Sequence, residues 1–205
     1  MKLKYPMISM LSLGLMPTAQ SEGLSVGLLG VASLQDPSYE KSGKSATVKG
    51  KTSFGAGLSS EIVMANGIGI EVDLLLLSHK FTRDTVEIFG VSASSTFASS
   101  FVQIPVLVRY RPIPYLNLGL GPYYSRVVSA WSVSAADFSK TEVNYGKNDF
   151  GFVAAVGSFI PANDMIALTV DLRYNQSLSN TATESKEVLK FSTLQGLVGL
   201  RFGIQ

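Results

Sequence analysis

The chain has 205 residues, enough for one domain, and is 46% apolar but only 16% charged, a composition poor in charge for a water-soluble protein of this size. Its 17 Lys and Arg against 15 Asp and Glu leave a formal charge of +2, so there is no polybasic footprint that would call for nucleic acid. Cysteine is absent, which excludes disulfide frameworks, thiol nucleophiles and thiolate metal sites together, and fits an oxidising compartment.

The chain begins MKLKYPMISMLSLGLMPTAQSEG, with Lys2 and Lys4 ahead of an apolar stretch from Tyr5 to Met16 and then small or polar residues. That order is expected of a secretory signal peptide over residues 1–20, cleaved near Ala19 or Gln20, with a single domain over 21–205. The apolar part is too short to cross a bilayer as a helix, which takes about 20 residues. Further on, the most concentrated apolar run, VDLLLLS at 72–78, is interrupted by Asp73, and transmembrane helices are excluded.

What recurs instead is period-two alternation in short segments, the signature of membrane-spanning strands. Leu24, Val26, Leu28, Gly30 and Ala32 alternate with Ser25, Gly27, Leu29, Val31 and Ser33; Phe54, Ala56, Leu58 and Ile62 alternate with Gly55, Gly57, Ser59 and Glu61. Ile68 to Leu76 alternate with Gly69, Glu71, Asp73, Leu75 and Leu77, and FVQIPVLVRY (101–110) sets Val102, Ile104, Val106, Val108 and Tyr110 against Phe101, Gln103, Pro105, Leu107 and Arg109. Leu116 to Leu120 alternate with Asn117, Gly119 and Gly121; Phe150 to Val156 with Gly151, Val153, Ala155 and Gly157. Leu168 to Tyr174 alternate with Thr169, Asp171, Arg173 and Asn175, and Leu194 to Ile204 with Gln195, Leu197, Gly199 and Arg201. Eight strands result. Pro105 lacks an N–H, so a bulge or break in pairing is expected there.

The connections alternate in length. Short ones lie at MANGI (64–68), RPIPY (111–115) and PANDM (161–165), long ones at 35–51, 79–98, 127–147 and 176–190. Short periplasmic turns alternating with long outer loops predict an all-β fold, a closed eight-stranded antiparallel up-and-down transmembrane β-barrel. A soluble barrel would put its apolar face inward; here one face is wholly apolar and the other small, polar or charged, which fits lipid outside and a narrow lumen inside. Tyr110, Tyr115, Phe159 and Phe202 near the turns, and Phe97, Tyr124, Phe150, Tyr174 and Phe191 near the long loops, would form two aromatic girdles.

The stretch FVQIPVLVRYRPIPYLNLGLGPYYS, followed by NDFGFVAAVGS and LTVDLRYNQSL, resembles the bacterial outer-membrane β-barrel domain family called PorT-like. In that family an apolar-x-Pro strand, a Gly-Pro-Tyr strand and an Asp-Phe-Gly strand follow in this order. The resemblance covers residues 21–205 and implies an integral outer-membrane protein; it carries over no catalytic residue.

The inner face of the expected barrel holds Glu61, Glu71, Asp73 and Asp171 together with Arg109, Arg173 and Arg201. Eight strands leave a bore that side chains fill, so these charges are expected to pair as a structural polar network that fixes register and blocks conduction; the alternative is a gate or narrow ion path. Counting along the strands puts Glu61, Glu71, Arg109 and Arg201 in the periplasmic half and Asp171 and Arg173 higher. The one histidine, His79, has Ser78 beside it and Asp73 well below, a poor start for a nucleophile, base and acid. No catalytic, cofactor or metal site is expected, since one His without Cys makes no tetrahedral ligand set.

The expected function is a structural or surface-interaction role in the outer membrane, with a small transport or channel component, and then a lipid-modifying enzyme, as alternatives. Expected partners are outer-membrane lipid and lipopolysaccharide, and the barrel-insertion machinery during biogenesis; a monomer is expected. Lys41, Lys44, Lys49 and Lys51 could meet lipopolysaccharide phosphates, though mixed charge in a solvated loop explains them more simply. VEIFGVSASSTF (86–97) would either extend a hairpin beyond the membrane or contact a partner.

Overall fold

A computed structural model describes residues 23–41, 44–46, 48–50, 52–88, 91–134, 140–142, 148–179 and 187–204. The expected signal peptide and Lys51 lie outside them. Eight long strands form the wall: β1 Gly23–Lys41, β2 Ser53–Val63, β3 Ile68–Ile88, β4 Val91–Ile113, β5 Leu116–Ser134, β6 Asn148–Pro161, β7 Ile166–Ser177 and β8 Glu187–Ile204. Each pairs antiparallel with its sequence neighbours, and β8 closes onto β1 from Leu24↔Ile204 to Lys41↔Glu187. Closure leaves no free edge within the wall, as a bilayer demands of strands whose backbone must be satisfied internally. No helix among the described residues is long and apolar enough to cross a membrane.

The alternation resolves into two faces with the predicted assignment. Leu28 (56% exposed), Leu58, Leu76 (61%), Leu120 and Val198 point outward, whereas Leu29, Glu71, Leu75, Arg109 and Arg173 are buried inside. On β1 the outward apolar run extends from Leu24 to Leu34. At about 3.3 Å per residue and a tilt of roughly 40°, that run makes a band about 25 Å tall, the thickness of an outer-membrane apolar belt.

Three tight connections close one end. Ala65–Gly67 form a turn with Asn66 at φ 64° and Gly67 at φ 73°, the left-handed region that Asn and Gly adopt readily, and the Met64 N–H donates to the Ile68 carbonyl at 2.8 Å. Pro114 and Tyr115 make the second turn. In the third, Asn163 Oδ1 accepts from the Met165 and Ile166 N–H groups at 2.9 and 2.8 Å. Arg111, expected in a turn, is instead part of β4.

At the other end the strands run past their predicted limits. Most of the expected loop at 79–98 continues the β3–β4 pairing, as far as Thr85↔Ala93 and Ile88↔Val91, so the backbone of the described residues 86–88 and 91–97 takes the hairpin alternative. β1 and β5 likewise enter the predicted loops, and the short strands Lys44–Ala46, Val48–Gly50 and Lys140–Glu142 pair with β1, β3 and β5 respectively. The side chains of Lys41, Lys44, Lys49 and His79 lie outside the described residues; the backbone of His79 pairs with Ser99 in the β3–β4 ladder.

At Pro105 the ladder is interrupted on one side only. Partners on β3 and β4 run to Val72↔Val106 and resume at Leu75↔Gln103, while Pro105↔Tyr123 is intact toward β5. The register is the same on either side of the gap, so the expected irregularity takes the form of a break and not a bulge. A register shift does occur between β4 and β5, where Ser100 and Phe101 pair with Ser129 and Val127 and leave Val128 of β5 as the extra residue.

Candidate functional site in the lumen

Buried side chains from opposite walls meet across the bore, and they do so in layers. Toward the tight-turn end, all seven charged residues singled out in the sequence are buried side chains of one network. Arg109 Nη2 donates to Glu71 Oε1 at 2.6 Å and also to Asp171 Oδ2. Arg173 reaches across from β7 to β3, donating through Nη1 to Asp73 Oδ2 at 2.5 Å and through Nη2 to Glu71 Oε1 at 2.8 Å, and it meets Asp171 at 3.0 Å on its own strand. Arg201 on β8 donates to Glu61 and, through its other terminal nitrogen, to Glu71. Glu71 therefore accepts from three guanidinium groups.

Asp171 and Arg173 do not form a separate upper tier. Counting residues from each turn ignores the stagger that strand tilt imposes around a closed barrel, and long arginine side chains bridge what remains. Arg111 completes the network: its Nη2 donates to Glu61 Oε1 at 2.5 Å, and its guanidinium lies 5.3 Å from the Phe159 ring centroid. With Arg111, four arginines face four carboxylates in this layer, whereas the seven residues read from the sequence carry one negative charge in excess. Such ions cost several kcal/mol each to desolvate, so mutual neutralisation with forked, charge-assisted bonds is what makes the layer tolerable.

Above the ions lies a neutral amide bridge. Gln195 Nε2 on β8 donates to Gln103 Oε1 on the opposite wall at 3.1 Å, Gln103 Nε2 to Asn175 Oδ1 at 3.4 Å, and Asn175 Nδ2 to the Thr193 carbonyl at 3.4 Å. Apolar side chains fill the spaces between these polar groups: Leu29, Val31, Leu75, Leu77 and Leu197 form one cluster, and Leu107, Tyr123, Val153 and Ala155 another. The lumen is thus a mixed core, and the expectation of a polar plug omitted its apolar part. At the outer mouth Asp149 accepts from Tyr123 Oη at 2.8 Å, from Ser177 Oγ at 2.6 Å and from Ser179 Oγ, tying β5, β6 and the end of β7 together.

Several buried polar atoms have no partner, among them Ser33 Oγ, both polar atoms of Gln35, and Ser53 Oγ on the adjoining β1 and β2 walls. No group of His, Asp and Glu among the described residues could hold a metal ion.

A closed wall with an apolar exterior belt, a packed charged interior and tight turns at one end defines an integral barrel of the bacterial outer membrane. The chain belongs to the outer membrane protein beta-barrel domain family, whose model matches residues 19–183. The fold is shared with the outer membrane protein OprG from Pseudomonas aeruginosa, with a TM-score of 0.58 at 13% identity, covering 90% of this chain and 97% of that one. The outer membrane protein AlkL in DMPC bilayers gives a TM-score of 0.49 at 14% identity, covering 100% and 97%, and the attachment invasion locus protein Ail of Yersinia pestis gives 0.44 at 16%, covering 89% and 100%. No curated protein matches the sequence.

Proposed function

We propose that this barrel is an occluded membrane scaffold with a structural or surface-interaction role, and that its working surface is the rim and the strand extensions at the long-loop end. The observation that carries this reading is the crossing of the bore at two levels, by the Arg173–Asp73 and Arg173–Glu71 pairs from β7 to β3 and by the Gln195–Gln103 bridge from β8 to β4. A solute passing through would have to break buried charge pairs, which makes a transport role the weaker reading. Residues 1–20 act in this reading as the export signal, and the chain is a monomer inserted by the barrel-insertion machinery, with lipopolysaccharide as its outer-leaflet neighbour and no nucleic-acid partner.

Catalysis is not part of the proposal. The sequence offers one histidine and no cysteine, and the inward carboxylates are engaged by arginines and hydroxyls. The test is conductance of the purified protein in planar bilayers. The expected record is a closed baseline in the wild type; steady, sized openings would overturn occlusion in favour of a channel.

A further inference from the structure

Toward the long-loop side the outward apolar columns of five neighbouring strands are each interrupted by a polar residue. On these strands Tyr124, Phe150, Tyr174, Leu194 and Leu34 are each followed, toward the long loops, by a polar outward residue: Arg126, Asn148, Gln176, Ser192 and Asp36; exposed Val128 and Leu178 lie two residues beyond Arg126 and Gln176. These five polar positions are the first breaks in the apolar belt on the side that faces the outer-leaflet headgroups. They are not equivalent. Gln176 Oε1 already accepts from Tyr174 Oη at 2.9 Å and Ser192 Oγ at 3.0 Å, and Asp36 would repel an anion.

Arg126 is the one cation of the five. It is exposed, it has no ion-pair partner among the described residues, and it is the register partner of Asn148 on β6. Asn148 Oδ1 accepts from Tyr124 Oη at 2.8 Å, which orients the side-chain amide and leaves both its N–H groups to donate outward. Beneath them the Tyr124 and Phe150 rings pair with centroids 5.0 Å apart and planes tilted by 48°, an aromatic platform near the outer end of the belt. A planar fork of guanidinium donors and a fixed amide, side by side above an aromatic platform, matches a phosphate whose attached acyl chains run down the barrel wall.

We propose that Arg126 and Asn148 form a binding site for a phosphate group of the lipid A part of lipopolysaccharide, with its acyl chains packed over Tyr124, Phe150 and Phe152. This deepens the reading of lipopolysaccharide as the outer-leaflet neighbour by naming the residues that would hold it.

The test uses the full barrel in phosphatidylcholine nanodiscs, titrated with bisphosphorylated lipid A, with dephosphorylated lipid A and with inorganic phosphate. Wild-type protein should bind bisphosphorylated lipid A more tightly than the dephosphorylated form, with salt weakening the difference, and inorganic phosphate at matched concentration should not compete. Arg126→Gln should lower the affinity roughly tenfold or more, as loss of a charge-assisted pair implies, and Arg126→Lys should recover part of it. Both variants should keep the heat-modifiable gel mobility of the folded barrel, since Arg126 supports no internal contact. Equal affinity of wild type and Arg126→Gln would overturn the site while leaving lipopolysaccharide as a partner; no binding of lipid A by the wild type would overturn both. Competition by inorganic phosphate would make the site one for free anions and overturn the lipid assignment.

Discussion

Replacing Glu71 by glutamine keeps the shape of the side chain and removes its charge where Arg109, Arg173 and Arg201 converge. Removing one partner from a buried ion pair destabilises by about 3–5 kcal/mol, because the remaining charge stays desolvated. Here each arginine keeps another carboxylate: Arg109 keeps Asp171, Arg173 keeps Asp73 and Asp171, and Arg201 keeps Glu61. That redundancy points to the lower end, about 3 kcal/mol, or a factor of roughly 150 in the folding equilibrium. Urea unfolding in phosphatidylcholine vesicles, followed by the fluorescence of Trp131, the one tryptophan, reads the change. Glu71→Gln combined with Arg201→Gln removes one charge of each sign and should be less destabilised than the sum of the two single variants. A loss below about 1 kcal/mol for Glu71→Gln, or strict additivity in the double variant, would refute the idea that the lumen charges act as one coupled unit.

The same assay separates the two faces at neighbouring positions. Leu75→Ala empties a fully buried place in the interior cluster and should cost about 2–5 kcal/mol, whereas Leu76→Ala, turned to lipid, should cost less than half as much; equal losses would reverse the facing. Gly67→Ala places a Cβ at φ 73° and 2.8 Å from the Arg111 carbonyl, so a loss of about 1 kcal/mol or more is expected, and an unchanged unfolding midpoint would show that the turn relaxes freely. Gly121→Ala would put a Cβ 1.9 Å from the Val106 carbonyl oxygen, and should weaken or abolish the heat-modifiable folded band; retention of wild-type stability would mean that β4 and β5 can separate there without penalty.

Facing was legible in the sequence because a strand allows only two sides, and a membrane barrel gives those sides opposite chemistry. Glu71, Arg109 and Arg173 could therefore be placed inside from parity alone. Height was not legible, since the stagger between strands is a property of the closed wall and appears in no single segment; hence the false separation of Asp171 and Arg173 from Glu71. Arg111 was missed because RPIPY reads as turn chemistry, although the charge imbalance of the other seven residues was a signal that one more inward cation was needed. The Gln103–Gln195 bridge joins residues 92 positions apart, and nothing local to either distinguishes it from two solvated amides. The length of the β3–β4 hairpin was hidden by the Ser, Thr and Ala content of 92–100, which reads as loop by composition but continues an existing ladder.

The prolines of β4 and β5 show how a closed wall accommodates residues that cannot donate. In an antiparallel ladder a residue directs both its N–H and its C=O toward one neighbour, and alternate residues face opposite neighbours. Pro105 faces β3, where pairing lapses between Val72↔Val106 and Leu75↔Gln103; toward β5 it sits at a non-hydrogen-bonded position, and Pro105↔Tyr123 is undisturbed. The next residue, Val106, faces β5 and would pair with Pro122, and the β4–β5 ladder lapses there in turn, between Pro105↔Tyr123 and Val108↔Leu120. Toward β6, Pro122↔Phe152 is intact. Each proline thus removes a single donor from a single pair, and the Val106 carbonyl, deprived of one, lies close over Gly121, where the absence of a side chain permits a Cα–H contact. The Gly-Pro step in GLGPYY is therefore one device: proline opens the ladder, and the glycine before it lets the strands stay close across the opening.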